Sequence, residues 1–260
     1  MNLPTIQSLW IGNPLSKLER LCVQSFLDHG HEFHLYTYGE VGNIPAGCTV
    51  KDGNEILPAK DIFQYRGGSY AGFSNWFRYE MLMKLGGFWV DMDMVCVRPF
   101  DFGDEFVFGK STYHGANTAV IGGRHAALEA LCEYCRQYPK AMPFDSKKNR
   151  SRKFRARLFR QGREGAKFGH IGGPSIFTDA LKYHGVFNAA KPHTYFYPIG
   201  WLNYDSIFDE TFANDSPFVK DTHAIHIWND GRRRDTQIDK NAAFPHDSLI
   251  EQLKRRHNIR

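Results

Sequence analysis

Residues 73–99, reading FSNWFRYEMLMKLGGFWVDMDMVCVRP, constrain the fold more than any other stretch of the chain. Apolar side chains at Phe77, Met81, Leu82 and Leu85 recur at the helical period. Ser74 is a suitable N-cap, and Gly86-Gly87 is a suitable stop. The apolar run after the diglycine predicts a buried strand that ends in Asp91-Met92-Asp93. A helix, a tight turn and a strand therefore deliver two carboxylates into an apolar setting. Charge is costly there unless something offsets it. Hard divalent cations are the usual offset, because they take oxygen ligands. A Mg²⁺ or Mn²⁺ held by Asp91 and Asp93 keeps positions free for substrate phosphates, which points to an enzyme acting on a nucleotide or phosphate ester. Ser74 and Arg78, four apart, share one face of the predicted helix. A lone Asp-x-Asp is common and also fits a strand that simply ends in solvated carboxylates.

The unit resembles the metal and nucleotide-sugar site of DXD-motif GT-A glycosyltransferases. The nearest pattern is the family-32 and globotriaosylceramide-synthase-like α-glycosyltransferases, with the clostridial glucosylating toxins more distant. Three blocks carry the resemblance. Ile6-Gln7-Ser8-Leu9-Trp10-Ile11-Gly12 is similar to the opening strand of the group, residues 74–99 to its central block, and Ala224-Ile225-His226-Ile227-Trp228-Asn229 to its closing His-x-Trp-Asn. Asn75 stands where the group usually has Asp, and its amide can bond a sugar hydroxyl without carrying charge.

The resemblance implies an α/β GT-A fold, Rossmann-like, with a mixed central sheet. It implies transfer of a hexose from a nucleoside-diphosphate sugar (a UDP sugar such as UDP-galactose, UDP-N-acetylglucosamine or UDP-glucose, with GDP-mannose the alternative) to a glycan or lipid-linked acceptor, as in bacterial surface polysaccharide synthesis. Retention of anomeric configuration is implied as well. By this resemblance Asp93 binds the metal and Asp91 contacts both donor and metal. His226 is the candidate third ligand, with Asn229 and then His223 weaker; imidazole suits Mn²⁺ better than Mg²⁺. Arg78 would neutralise a phosphate or hold Asp91. Leu9, Trp10, Ile11 and Gly12, at the carboxyl end of the first strand, would border the base. Ser74, Asn75, Gly173 and Pro174 would lie beside the sugar; the last two open a helix whose N–H groups can face a ligand, though such a Gly-Pro start is equally a routine helix entry. Asn117 and Asp205 are guesses for the sugar's surroundings.

Elsewhere, residues 5–11, 15–28 and 32–38 read as strand, helix, strand, a parallel βαβ unit. A short strand is expected near 48–52, others at 106–109 and 117–122, and helices at 126–138 and 175–183. One catalytic domain is expected over 1–260, with residues 1–100 as the nucleotide-binding half and 101–260 as the sugar and acceptor half. Aromatic residues make up 15% of the chain, enough for a dense core as well as for stacking on sugars. Five cysteines, an odd count, argue against a disulfide framework, and Cys132-x-x-Cys135 lacks a second pair for zinc. No early segment pairs a basic region with an apolar run, and no window is long enough to span a bilayer. A cytoplasmic enzyme is expected.

Residues 147–163 carry nine Lys and Arg and no acid. A solvated loop, a contact with an anionic membrane surface and a nucleic-acid site all fit that charge. No nucleic-acid motif accompanies it, so nucleic acid is not expected. Two rival functions remain. Asp91-Met-Asp-Met-Val95 also fits the first motif of haloacid-dehalogenase-type phosphatases, with Asp91 as nucleophile. A non-catalytic lipid- or nucleic-acid-binding protein would use the basic segment and leave Asp91, Asp93 and His226 unexplained.

Overall fold

The computed structural model describes residues 3–113, 115–229 and 239–260. Strand β1 (Ile6–Leu9) is fully buried, and helix α1 (Lys17–Asp28) follows it. Ser16 caps α1 in a reciprocal arrangement: Leu18 N–H donates to its hydroxyl, and the Ser16 N–H donates to Glu19. Strand β2 (Phe33–Thr37) then pairs parallel to β1, with Ile6 opposite Phe33, so the expected βαβ unit forms. Strand β3 (Thr49–Asp52) adds in parallel outside β2.

Helix α2 (Ala71–Leu85) leads into β4 (Phe88–Val90), which pairs parallel to β1 on its other side. Gly86 and Gly87 join them at φ values of +73° and +72°, a conformation that favours glycine. Strand β5 (Met94–Cys96) leaves this sheet just beyond the aspartates. Strands β6 (Phe106–Lys110) and β7 (Ala116–Gly123) return antiparallel, with β7 against β4. The resulting six-stranded mixed sheet runs β3-β2-β1-β4-β7-β6. Much later, β8 (Ala224–His226) pairs antiparallel with β5, setting Met94 opposite His226.

Helices α3 (Ala126–Arg136) and α5 (Pro174–Tyr183) pack with α2 on one face of the sheet. Helix α1 covers the other face, in a cluster built on Phe26, Phe33, Phe88, Phe100 and Phe196. Helix α6 (Leu249–Arg256) belongs to a third apolar cluster with Val95, Ile225 and Ile227. Burying a Phe side chain stabilises by roughly 1.5–3 kcal/mol, and most of the aromatic content is used this way.

Three sequence expectations change. Ser74 is not a cap: α2 begins at Ala71, and the Ser74 N–H already donates to the Tyr70 carbonyl inside the helix. The cap position is Tyr70, which makes no side-chain cap bond, and the Ala71 N–H donates to the Ser69 hydroxyl just outside the helix. Leu85 is half exposed at the helix end rather than in the core. Of the readings left open for the basic stretch, the solvated loop does not hold: residues 147–158 form helix α4 (Lys147–Leu158), and Lys153 within it is fully buried. The five cysteines are free, as expected, and burial pushes the Cys132 and Cys135 thiols well up from their ordinary range. No helix among the described residues is long and apolar enough to cross a membrane.

Candidate active site

A cavity of about 490 Å³ opens at the carboxyl ends of β1 and β4. Its floor is built from the two aspartates and the groups that fix them. Asp91 follows directly on β4, and its N–H donates to the Ala119 carbonyl of β7. Its Oδ1 accepts from Arg78 at 2.6 Å and from the Trp89 indole N–H at 2.8 Å. Both bonds fall on one oxygen, which leaves the other for a ligand. Arg78 lies on α2, 3% exposed, with its guanidinium 4.7 Å from the Trp89 ring centroid. Its second arm donates to Asn75 Oδ1 at 2.7 Å, and the Asn75 amide donates on to the Ile171 carbonyl at 2.9 Å. Each end of the Asn75 amide thus bonds protein, and the residue also borders the cavity.

Asp93 is held from the far end of the chain. Pairing of β5 with β8 continues past the strand end, where the Ile227 N–H donates to the Asp93 carbonyl. That register sets His226 Nε2 at 3.0 Å from Asp93 Oδ1, while the Asn229 backbone N–H donates to Oδ2 at 3.0 Å. Burial by itself would raise the Asp93 carboxyl. The charge of His226, its hydrogen bond and that of Asn229 outweigh burial and hold the carboxyl below the usual carboxylate range. Asn229 thus meets Asp93 through its backbone, and its side-chain amide turns to Glu19.

Ligand atoms of Asp91, Asp93 and His226 lie within 4.8 Å of one another. Metal–donor bonds of about 2.0–2.2 Å fit such a set after small side-chain adjustment. His226 Nδ1 is buried without a partner among the described residues, so the ring is not locked by a hydrogen bond on that side. Two carboxylates and one imidazole are a donor set that a divalent cation can share.

The cavity wall collects most of the residues expected from sequence: Leu9, Trp10, Ser74, Asn75, Arg78, Gly173, Pro174 and Asn117. Gly173 caps α5 with Pro174 in its first turn, so this helix start borders the cavity. Ile11, Gly12 and Asp205 do not line it. His223 points elsewhere, its Nδ1 on the Pro99 carbonyl. Residues not foreseen include Trp89, Phe168, Trp201 and Trp228. Trp228 holds a left-handed backbone at φ +58° and packs 3.9 Å, centroid to centroid, from His226. Its indole N–H donates to the Ile199 carbonyl. The Ile-His-Ile-Trp-Asn run was the available signal for Trp228; nothing in the pattern marked Phe168 or Trp201.

Two stretches of the chain match known families. Residues 47–110 match the glycosyltransferase sugar-binding region containing the DXD motif. Residues 172–257 match the alpha 1,4-glycosyltransferase conserved region. The first contains Arg78, Asp91 and Asp93, and the second contains Gly173, Pro174 and His226. Similar solved structures include the PaToxG glycosyltransferase, at 14% identity and a TM-score of 0.48, covering 72% of this chain and 73% of that one. Another is a glycosyltransferase involved in glycosylation of the major capsid of PBCV-1, at 12% identity and a TM-score of 0.32, covering 90% and 100%. No curated protein matches the chain.

Proposed function

We propose that this chain, which belongs to the DXD-containing glycosyltransferases, is a metal-dependent GT-A enzyme. It moves a hexose from a nucleoside-diphosphate sugar, a UDP sugar such as UDP-galactose, UDP-N-acetylglucosamine or UDP-glucose, to a glycan or lipid-linked glycan. Residues 1–100 would hold the nucleotide and residues 101–260 the sugar and acceptor, within one catalytic domain. The enzyme would act in the cytoplasm in surface polysaccharide synthesis. The phosphatase and non-catalytic readings give way to the family matches.

One observation carries the proposal: the Arg78–Asp91 pair and the Asp93–His226 pair meet at the floor of a single cavity. Asp91, Asp93 and His226 would hold Mn²⁺ or Mg²⁺, which when bound supplies positive charge against the departing diphosphate. Arg78 aims Asp91 through a charge-assisted hydrogen bond. Trp89 repeats that restraint from the strand side. Leu9 and Trp10 border the base, and the α5 N-terminus lies beside the sugar. Asp91 and Asp93 are the only carboxylates among the described lining residues, and the protein already engages both. A retaining reaction assisted by the leaving phosphate is what the resemblance to the family implies.

The test is release of free nucleoside diphosphate from a panel of nucleotide sugars, with Mn²⁺ and with EDTA. Mn²⁺-dependent turnover of one sugar is expected. No turnover, together with no donor binding by calorimetry, would overturn the reading.

A further inference from the structure

We propose that helix α4 and the turn after it form a docking face for an anionic lipid bilayer, with Phe154, Leu158 and Phe159 inserted and the surrounding Lys and Arg set against the headgroups. The argument starts from an inversion. A surface helix ordinarily buries its apolar stripe and exposes its charges. Helix α4 does the opposite. Its inner face is Asn149, Lys153 and Ala156, each at most 5% exposed. Lys153 is fully buried, 2.8 Å from the equally buried Asp145, and also donates to the Lys140 carbonyl. Asn149 donates to Asp179 of α5. The helix is thus fastened by polar contacts, and its large apolar side chains face outward.

Those side chains are Phe154, Leu158 and Phe159, at 67%, 66% and 67% exposure. Phe154 and Leu158 are four apart and form one stripe. At the helical period, Arg150 and Arg157 border it on one side, Lys148 and Arg155 on the other, and Lys147 heads it; all five are exposed. Arg160 extends the cationic rim past the helix end. No acid occurs between 147 and 163. Single exposed apolar residues are normal on a protein surface, but three within six positions, ringed by cations alone, need a partner. Charge selects an anionic one. The apolar centre selects a surface that side chains can enter, since phosphates on a nucleic-acid backbone give Phe154 and Leu158 nothing to bury against. An interfacial helix with Phe and Leu central and Lys and Arg flanking has this form, and the long cationic stems can reach headgroups while the rings sink.

The chain leaving α4 soon reaches the cavity, whose wall includes Phe168 and Gly169. A docked α4 would therefore hold the cavity close to the bilayer, where a lipid-linked acceptor is presented. The docking itself does not depend on the transferase reading, and donor turnover without vesicles reports on that reading separately.

The experiment is flotation of the full chain with vesicles of equal parts phosphatidylglycerol and phosphatidylcholine, and with phosphatidylcholine alone. The protein should float with the anionic vesicles only. Each Lys or Arg near an anionic surface raises partition about fivefold, so Arg150→Gln, Arg155→Gln and Arg157→Gln together should weaken it about a hundredfold. Phe154→Ser, Leu158→Ser and Phe159→Ser together should weaken it at least about tenfold, with an unchanged thermal midpoint because all three side chains are exposed. Failure to float, equal flotation with neutral vesicles, or full retention by the serine variant would overturn the proposal. So would tighter binding to duplex DNA than to vesicles that is indifferent to the serine substitutions.

Discussion

Asn75 has a structural task that its place in a pattern does not show. A residue of this type beside a sugar site is free, on paper, to bond a hydroxyl. In the structure its amide bridges Arg78 and the Ile171 carbonyl, and it is 7% exposed. Asn75→Asp would restore the residue usual in the resembled group. It would also set a carboxylate oxygen against the Ile171 carbonyl, which would keep only the longer bond from the Tyr65 hydroxyl, at 3.2 Å. The expected cost is about 1–3 kcal/mol, a fall in thermal midpoint of several degrees at this chain length. A midpoint equal to or above that of the wild type would show that the Arg78 attraction dominates instead. Asp93 bears more directly on chemistry. Asp93→Ala should lower transfer by about a thousandfold or more, the worth of several kcal/mol of charge stabilisation, while far-ultraviolet dichroism stays native. Retained activity in that variant would refute the placement of the metal. Arg78, Asp91, Asp93 and His226 were legible because each occupies a fixed offset in a short run. The Trp89 bond to Asp91 was not, because a tryptophan inside an apolar strand reads as core.

At the scale of elements, the turn between α2 and β4 was legible from Gly86-Gly87, and the start of α2 was not. Helix ends are set by which N–H finds an acceptor. Ser74 is a plausible cap in a sequence, but Phe73 and Trp76 pack into the core and the helix already starts at Ala71. The diglycine makes a sharper prediction. A Cβ on Gly87 would lie 2.8 Å from Gln7 Nε2 and 2.9 Å from the Thr5 carbonyl, at φ +72°. Left-handed backbone costs a non-glycine residue about 1–2 kcal/mol, and the clash adds to it. Gly87→Ala should therefore lower stability by at least about 2 kcal/mol and reduce donor turnover, since the same turn aims Asp91. Denaturant melts of the two proteins read this directly, and an unchanged midpoint would sink it. Helix α4 carries a pH prediction. Burial pushes the Lys153 ammonium down to about 8, against the opposing pull of Asp145. Between that value and the ordinary lysine range, the folded chain binds fewer protons at this site than the unfolded chain. Stability contributed by this group must then rise with pH across that window. The stability difference between wild type and Lys153→Met should move in favour of the wild type as pH is raised from below 8 to about 10. A constant difference would mean that Lys153 titrates normally.

Over the whole molecule, the site depends on chain segments that the sequence holds far apart. Asp93 and His226 are 133 positions apart, and only the β5–β8 pairing brings them together. The parallel βαβ opening was legible because period and turn residues are local signals. The pairing of β8 with β5 is non-local, and the closing His-x-Trp-Asn run was visible as a motif without showing which strand it meets. The same distance makes a bound ion a fastener for the fold. An ion shared by Asp91, Asp93 and His226 would tie β4 and β5 to β8, and it binds the folded chain alone, since the unfolded chain has no such cluster. At a hundred times its dissociation constant, a ligand of this kind adds about 2.7 kcal/mol. For a chain of this length that raises the thermal midpoint by roughly 5–10 °C. Mn²⁺ should produce the shift, EDTA should reverse it, and Asp93→Ala should abolish it even though that variant starts less stable. His226→Ala should keep part of it, because two carboxylates still hold a hard cation. A shift that survives intact in Asp93→Ala would place the ion elsewhere, whatever the enzyme's activity shows.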